Sequence, residues 1–500
     1  MDLSDSQLNA LNLSLEGKNI FISGLGGTGK TTLAMTIKTK LEESGRNVIL
    51  TTLEKSDALR IGGITIHELL NLKNNGVDII SQQRVTHPTK LLVAADTIIV
   101  DDISKVHIGL FDCLARSLKK AEAKSSAKQL IVLGDFFRTP PFISAEERIT
   151  LEDLYPNINI EDGHAFKAPA WAKRKFAPVT LDFPQSVDEK KQQVLRCITS
   201  SDIGKAINLL EKSRLRYESL FAANICFSAD RSDEINSREL DALPSSNITL
   251  KAKVKSRSRK HGDIDVFGIP EYLVLKEGAK VVLTEDMNCI GGEPDYHRGS
   301  IAIVRKIDPL KYVLVELPNR KQIFIKPVIK AVPKLSAVID NDGKHRIISS
   351  ESIVIKQYPL RLAYALDVKS CNGMIFDSAV IMNDDGAQSP SAVYDALSLC
   401  SNMDSVHFSK SLDACDLICS DEVLEFQSNM TSTRFRWKAS YHYPTKLIRV
   451  SEDMAEGHLA VEEALSSIRF SSEARKKALA MLYEMAGELK DMFSPEEDER

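Results

Sequence analysis

Nowhere in the 500 residues does an apolar run approach the ~18 to 20 that a membrane span requires, and the opening MDLSDSQ lacks a basic-then-apolar order. These absences point to a protein of the cytoplasm, or of the nucleus in a eukaryotic cell, with no membrane partner. A strong basic excess is missing too. With 65 Lys and Arg against 69 Asp and Glu the net charge is -4, which excludes a protein that coats nucleic acid with its whole surface and leaves room only for a local groove. Aromatic residues make up 6%, and Trp171 and Trp437 are the only tryptophans, so few rings are available to stack on bases. The 8 cysteines are scattered; Cys415 and Cys419 alone lie close together, with no second pair to complete a zinc site, and all are read as reduced and mostly buried thiols.

What is present is a chain long enough for two to four domains, with 43% hydrophobic and 27% charged residues, the balance of a soluble globular protein. Gly24 to Thr31 reads GLGGTGKT and satisfies G-x-x-x-x-G-K-[ST] in full. The apolar run Asn19 to Ser23 predicts a buried strand before it, and Thr32 to Glu43 a helix after it. In that context backbone N–H groups converge on a polyphosphate at a helix N-terminus, Lys30 neutralises the terminal phosphates and the Thr31 hydroxyl holds Mg²⁺. The nucleotide-binding positions are therefore Gly24, Gly26, Gly27, Thr28, Gly29, Lys30, Thr31 and Thr32.

Ahead of the loop, Ser4 and Gln7 have capping-box spacing; Gln7 either closes that cap or reads an adenine edge. Asn47 to Thr52 predicts a second strand, and Thr97 to Val100 a further, buried one ending in Asp101-Asp102, carboxylates at the rim of a parallel sheet where ligands bind. Asp101 is the candidate Mg²⁺ ligand and Asp102 the candidate for orienting the attacking water. Gln129 to Leu133 predicts another strand, with Gly134-Asp135-Phe136-Phe137-Arg138 at its exit. Strands alternating with helical segments argue for an α/β fold with a parallel sheet. From Tyr272 to Val328 apolar and polar residues alternate between glycine turns, the pattern of a small β-barrel. The basic run Lys251 to Lys260 supplies Lys253, Lys255 and Arg257 as candidates for backbone phosphates, or is a solvated linker. Ala474 to Met492 has helical spacing and runs into an acidic tail.

Taken together, Gln7, GLGGTGKT, Thr65-Ile66-His67, Val100-Asp101-Asp102-Ile103-Ser104 and Gly134-Asp135-Phe136-Phe137 with Pro140-Pro141 resemble successive motifs of superfamily-one DNA helicases. Order and spacing are most similar to the petite-integration-frequency (PIF) family and its RecD-like relatives, and Ala392 to Ser398 resembles the last motif. The resemblance implies two RecA-like lobes, the first over 1–182 with a small insertion near 73–92, and the second over 183–250 and 346–410. It further implies an SH3-like β-barrel inserted at 251–345 and leaves 411–500 as a partly helical extension. ATP and Mg²⁺ are the implied cofactors and single-stranded or forked DNA the implied partner, unwound or tracked in the 5′ to 3′ sense. His67 is similar to a residue of the family's single-strand channel, although a capping role fits equally, and Lys369 in the fifth motif joins it as a nucleic-acid candidate.

The chain departs from that family at the hydrolysis residues. Proline stands at 184 where Arg-Gln would open the second lobe, and Leu399 stands where Ala-Leu-Ser-Arg would end, so both implied arginine fingers are replaced. The fifth motif reads Asp367-Val368-Lys369-Ser370-Cys371-Asn372-Gly373, and Asp102 replaces the glutamate after Asp101. Arg138 replaces a glutamine, which makes it a catalytic candidate: a cation supplied in cis for one lost from the other lobe. Intact phosphate binding beside depleted hydrolysis groups implies either a helicase with a weak motor or a pseudo-helicase that binds nucleotide or single-stranded DNA as a structural or regulatory subunit of a larger assembly.

Overall fold

The computed structural model of the chain describes residues 3–72, 88–184, 187–211, 220–256, 264–287, 294–384 and 391–431. Most of the insertion near 73–92, Arg257, Trp437 and the helical spacing of 474–492 lie outside them.

The apolar runs become neighbouring strands. β1 (Ile20–Ser23), β2 (Val48–Thr52), β3 (Ile64–Thr65), β4 (Thr97–Val100), β5 (Gln129–Gly134) and β6 (Ala177–Thr180) form one sheet in the order β3-β2-β4-β5-β1-β6, every pair parallel. β1, β2, β4 and β5 are buried along their whole length. Helices cover both faces, so the strand sequences carry no polar face. Ile20 and Ile22 of β1 point to the side where the helix Lys30–Glu43 brings Leu33, Ile37 and Leu41. Phe21 points to the opposite side, towards Phe111 and Leu114 of the helix Ile108–Glu122. There Trp171 is fully buried, with ring centroids 5.2 Å from Phe21 and 5.1 Å from Phe111.

A second parallel sheet follows, in the order Leu366–Asp367, Ala223–Cys226, Ala379–Ile381, Val406–Phe408. Together the two sheets give the α/β architecture of paired RecA-like lobes. Between their strands runs an antiparallel region. Gln322–Ile325, Tyr312–Glu316, Ile301–Asp308, Lys280–Leu283 and Leu360–Leu362 make a five-stranded sheet around Val281, Leu283, Val304 and Val313. A long hairpin, Val328–Ile339 with His345–Gln357, takes Lys253–Ser256 as its third strand, so the start of the basic run is sheet. The hairpin reaches the first lobe, where Asn47 donates to the His345 carbonyl at 2.9 Å.

The helix Asp421–Thr431 returns to the first lobe as well. Its Phe426 stacks on Phe166 with centroids 4.2 Å apart and meets Phe21 and Trp171 at 5.9 and 6.0 Å. Cys113, Cys197, Cys226, Cys371, Cys400 and Cys419 are buried free thiols and Cys415 is exposed.

Candidate functional site

Parallel strands deliver their following loops to one rim. The exits of β1, β4 and β5 therefore bring Gly24 to Thr31, Asp101-Asp102 and Asp135 to Arg138 together without further instruction. Gly27 and Gly29 have φ of 95° and 82°, a left-handed backbone that side chains resist, and this curls the loop around its own N–H groups. Gln7 does two things: its Oε1 accepts from Ser4 N at 3.1 Å, completing the cap, and its Nε2 donates to the Thr28 carbonyl at 3.3 Å. The cap thus plants the amide against the phosphate loop.

Lys30 donates to the carbonyls of Gly24 at 2.5 Å and Leu25 at 3.1 Å. Burial lowers its pKa, and the carboxylates of Asp135, Asp102 and Asp101 only partly offset this. An ammonium held on carbonyls with three acids nearby is ready to exchange those carbonyls for phosphate oxygens.

The Thr31 hydroxyl donates to Asp101 Oδ2 at 2.8 Å. Burial first, then the neighbouring Asp102, pushes the Asp101 carboxyl up to about 6, against the pull of the Thr31 hydrogen bond. A hydroxyl and a carboxylate in contact at a helix N-terminus suit Mg²⁺, which takes few protein ligands and completes its shell with water and phosphate oxygens. Among the described residues no group of three or more His, Cys, Asp or Glu side chains could hold an ion. A cation here would depend on the nucleotide.

Asp102 sits at φ 55°, a left-handed position for a non-glycine residue. Ser104 donates to its Oδ1 at 2.7 Å, while Oδ2 is buried with no hydrogen-bond partner. Burial would raise its pKa, but Lys105 at 3.5 Å and Arg138 at 3.9 Å outweigh burial and hold it down at about 2. The carboxylate stays ionised, suited to orienting a water rather than to taking its proton.

The second lobe closes over this rim. The helix Ser391–Ser398 is buried from Ala392 onward, and a Cβ on Gly26 would lie 2.3 Å from that of Ser398. The Tyr394 hydroxyl donates to Asp135 Oδ2 at 2.7 Å. Arg138 Nε donates to Asp395 Oδ1 at 2.7 Å, and Thr139 gives Asp395 Oδ2 its backbone N–H at 3.0 Å and its hydroxyl at 2.6 Å. Asn372 bridges the lobes too, accepting from Arg138 at 3.3 Å and donating to Asp57 at 2.8 Å. Lys191, on the buried face of the helix Glu189–Thr199, donates to the carbonyls of Ser398 at 2.8 Å and Cys400 at 2.6 Å.

Asp395, Asp57, Lys105 and Lys191 were not singled out by sequence reasoning. Two of them carry a signal: Asp395 is a lone carboxylate in the apolar segment Ala392 to Leu397, and Lys191 shares an i, i+3, i+4, i+7 stripe with Val194, Leu195 and Ile198. A charge on a core face needs a partner.

The nucleic-acid candidates do not form one cluster. His67 lies inside the helix Ile66–Leu70, whose N-cap is Thr65, so His67 is not the cap; burial lowers its pKa. Lys253 and Lys255 are exposed on the outer strand of the hairpin sheet. Lys369 borders a cavity of about 280 Å³ shared by Arg60, Arg298, Lys330 and Arg361 with Glu54, Asp57, Asp265 and Glu285. The Nε atoms of Arg60 and Arg298 are buried without hydrogen-bond partners. Burial, then the charge of Arg60, lowers the Arg298 pKa.

Residues 3–155 match the PIF1-like helicase family. The chain is 23% identical over 388 residues to the ATP-dependent DNA helicase Pif1 of Campylobacter jejuni, covering 72% of this chain and 82% of that protein. It is 23% identical over 394 residues to human ATP-dependent DNA helicase PIF1, spanning 76% of this chain but 56% of the longer relative. In fold it is similar to Bacteroides Pif1 in complex with ADP-AlF4, with a TM-score of 0.71 at 21% identity over 86% of this chain and 97% of that one. It is also similar to Bacteroides Pif1 bound to single-stranded DNA, with a TM-score of 0.55 at 22% identity.

Proposed function

The chain is PIF1-like in sequence over residues 3–155 and in fold over both lobes, and from that premise we propose that it binds Mg²⁺-ATP between the lobes and couples that binding to single-stranded DNA. The observation that carries this reading is the 2.8 Å contact of Thr31 with Asp101 at the mouth of a complete phosphate loop, faced by a second parallel-sheet lobe. Gly24, Gly26, Gly27, Thr28 and Gly29 offer the cradle, Lys30 meets the terminal phosphates, Thr31 with Asp101 holds the metal, and Thr32 and Gln7 flank the nucleotide. Bound Mg²⁺ would neutralise phosphate charge. Asp102 orients water, and Arg138 supplies a cation whenever it exchanges Asp395 for phosphate.

For DNA, two neighbouring guanidiniums with unpartnered Nε atoms on a shared cavity, the Arg298 pKa lowered by burial and then by the charge of Arg60, favour a phosphate backbone as ligand. Lys369 borders that cavity, and Lys253, Lys255 and His67 are proposed as outlying contacts. The motor sense is unwinding or translocation, 5′ to 3′ by family likeness.

One observation favours a second reading. Arg138 is already committed to Asp395 across the cleft, and Pro184 and Leu399 offer no finger, so a nucleotide-binding clamp that hydrolyses little is the alternative. DNA-stimulated ATPase separates the two. Turnover above that of Lys30→Ala, rising with single-stranded DNA, supports the motor; nucleotide binding without turnover supports the clamp; absence of nucleotide binding removes both.

A further inference from the structure

A buried lysine needs a reason. Lys191 is 5% exposed and lies on the core-facing stripe of the helix Glu189–Thr199, whose other members there are apolar. Two of its three N–H bonds end on the Ser398 and Cys400 carbonyls, just at and beyond the C-terminus of the helix Ser391–Ser398, and no third partner exists among the described residues. Helix-end carbonyls attract cations, and that alone explains a lysine that caps. It does not explain where the ammonium sits: a Cβ on Gly27 would lie 3.6 Å from Lys191 Nζ and 3.9 Å from its Cε. Gly27 is in the middle of the phosphate loop, so the second lobe's ammonium lies within contact range of the loop backbone.

We propose that Lys191 is a phosphate-contacting residue: its ammonium, held on the second lobe's carbonyls beside Gly27, engages the terminal phosphates of a nucleoside triphosphate lying in the loop. The inference rests on the nucleotide reading above and deepens it, because it fills the cation vacancy left by Pro184 and Leu399 with a side chain from outside the motifs. In hydrolysis a water oxygen bonds to the γ-phosphorus, the bond to the β,γ-bridging oxygen breaks with its electron pair staying on ADP, and the water's proton passes to solvent. Negative charge gathers on the β-phosphate and bridging oxygen, and a cation at Gly27 stabilises that charge as it develops. Burial lowers the Lys191 pKa, and an anionic phosphate arriving beside it would act in the opposite sense.

The experiment separates contact from capping. Lys191→Gln keeps an N–H donor for the carbonyls but has no charge, Lys191→Arg keeps charge, and Lys30→Ala reports on the loop itself. Affinities of the full chain for ATPγS, ADP and AMP are measured by calorimetry, with thermal melting as the folding control. The expected result is a loss of about tenfold in ATPγS affinity for Lys191→Gln, a smaller loss for ADP and none for AMP, with Lys191→Arg close to the wild type. If Lys191→Gln binds all three like the wild type while Lys30→Ala loses the triphosphate, Lys191 is a helix cap and the inference falls while the nucleotide reading stands. Should Lys191→Gln melt early, the triphosphate preference of Lys191→Arg decides: a well-folded Lys191→Arg that no longer favours ATPγS over AMP overturns the proposal. A wild-type chain that binds no nucleotide overturns the nucleotide reading as well.

Discussion

Two oppositely charged side chains that meet across a cleft resist its opening, and Arg138 with Asp395 is such a pair, 257 residues apart in sequence and 2.7 Å apart in space. Their side chains are 19% and 10% exposed. Removing one partner from a buried pair strands the other charge, a penalty of ~3 to 5 kcal/mol; residual exposure and the two Thr139 hydrogen bonds to Asp395 place Arg138→Gln near the lower end. Replacing both, as in Arg138→Gln with Asp395→Val, should recover most of that loss. Urea denaturation of the two single variants and the double variant should give a coupling of roughly 2 kcal/mol, and strict additivity would show that the pair does not hold the lobes. Turnover adds a separate test of the phosphate role. Asp395→Val frees Arg138 and should raise ATPase several-fold, whereas unchanged turnover in Arg138→Gln, compared with Lys30→Ala, would remove Arg138 from the chemistry. The sequence made Arg138 conspicuous as a departure from a motif, but its partner lay hidden, because pairing between distant residues is settled by how the lobes pack and not by local spacing.

Helices report their own ends better than their environments. The helix Ile108–Glu122 starts at His107, whose Nδ1 accepts from Leu110 N at 3.3 Å, a role only the neutral ring can play. Burial pushes the His107 pKa down to about 4, offset slightly by Glu147, and burial takes His164, bridged to it, to about 4 as well. A folded value below the unfolded one of ~6.5 means that the unfolded chain binds more protons between those limits, so stability is whole above pH ~6.5 and is lost as pH falls towards 4. The His107 contribution is on the order of 3 kcal/mol. His107→Asn keeps a capping side chain without the titration, so its melting temperature should fall less between pH 7 and pH 4.5 than that of the wild type; parallel curves would rule out the linkage. The same limit applies to Asp421–Thr431. No motif pointed to it, and its value comes from what Phe426 touches: Phe166, Phe21 and Trp171. Phe426→Ala should destabilise the chain by ~3 kcal/mol in urea melts, although it lies far from every motif in sequence.

At the scale of the whole molecule, the parallel sheet explains why so much of the nucleotide site was readable. Once β1, β4 and β5 are parallel neighbours, Lys30, Asp101 and Arg138 have nowhere to go but one rim. No such rule gathers the DNA candidates, because Arg60, Arg298 and Lys369 come from the first lobe, the antiparallel region and the second lobe, and meet only when all three pack. That cavity makes the last prediction. Arg298 already gives its guanidinium to the Thr284 carbonyl and, at 3.3 Å, to that of Asn372, while Arg60 pairs with Asp57 at 3.3 Å. Each keeps a buried Nε without a partner, and burial followed by the charge of Arg60 lowers the Arg298 pKa, so a phosphate between them would relieve repulsion and satisfy donors at once. Neutralising a phosphate releases counterions, and each such contact adds ~0.7 to the slope of log affinity against log salt for a single strand. Arg60→Gln and Arg298→Gln should therefore weaken oligonucleotide binding and flatten that slope by about 0.7 each, equally for poly-dT and mixed sequence, since a backbone contact reads no base. Lys253→Gln, out on the hairpin sheet, should change the slope less. A slope unaltered by both arginine variants would place the strand elsewhere on the molecule and would detach the two lobes' shared cavity from DNA.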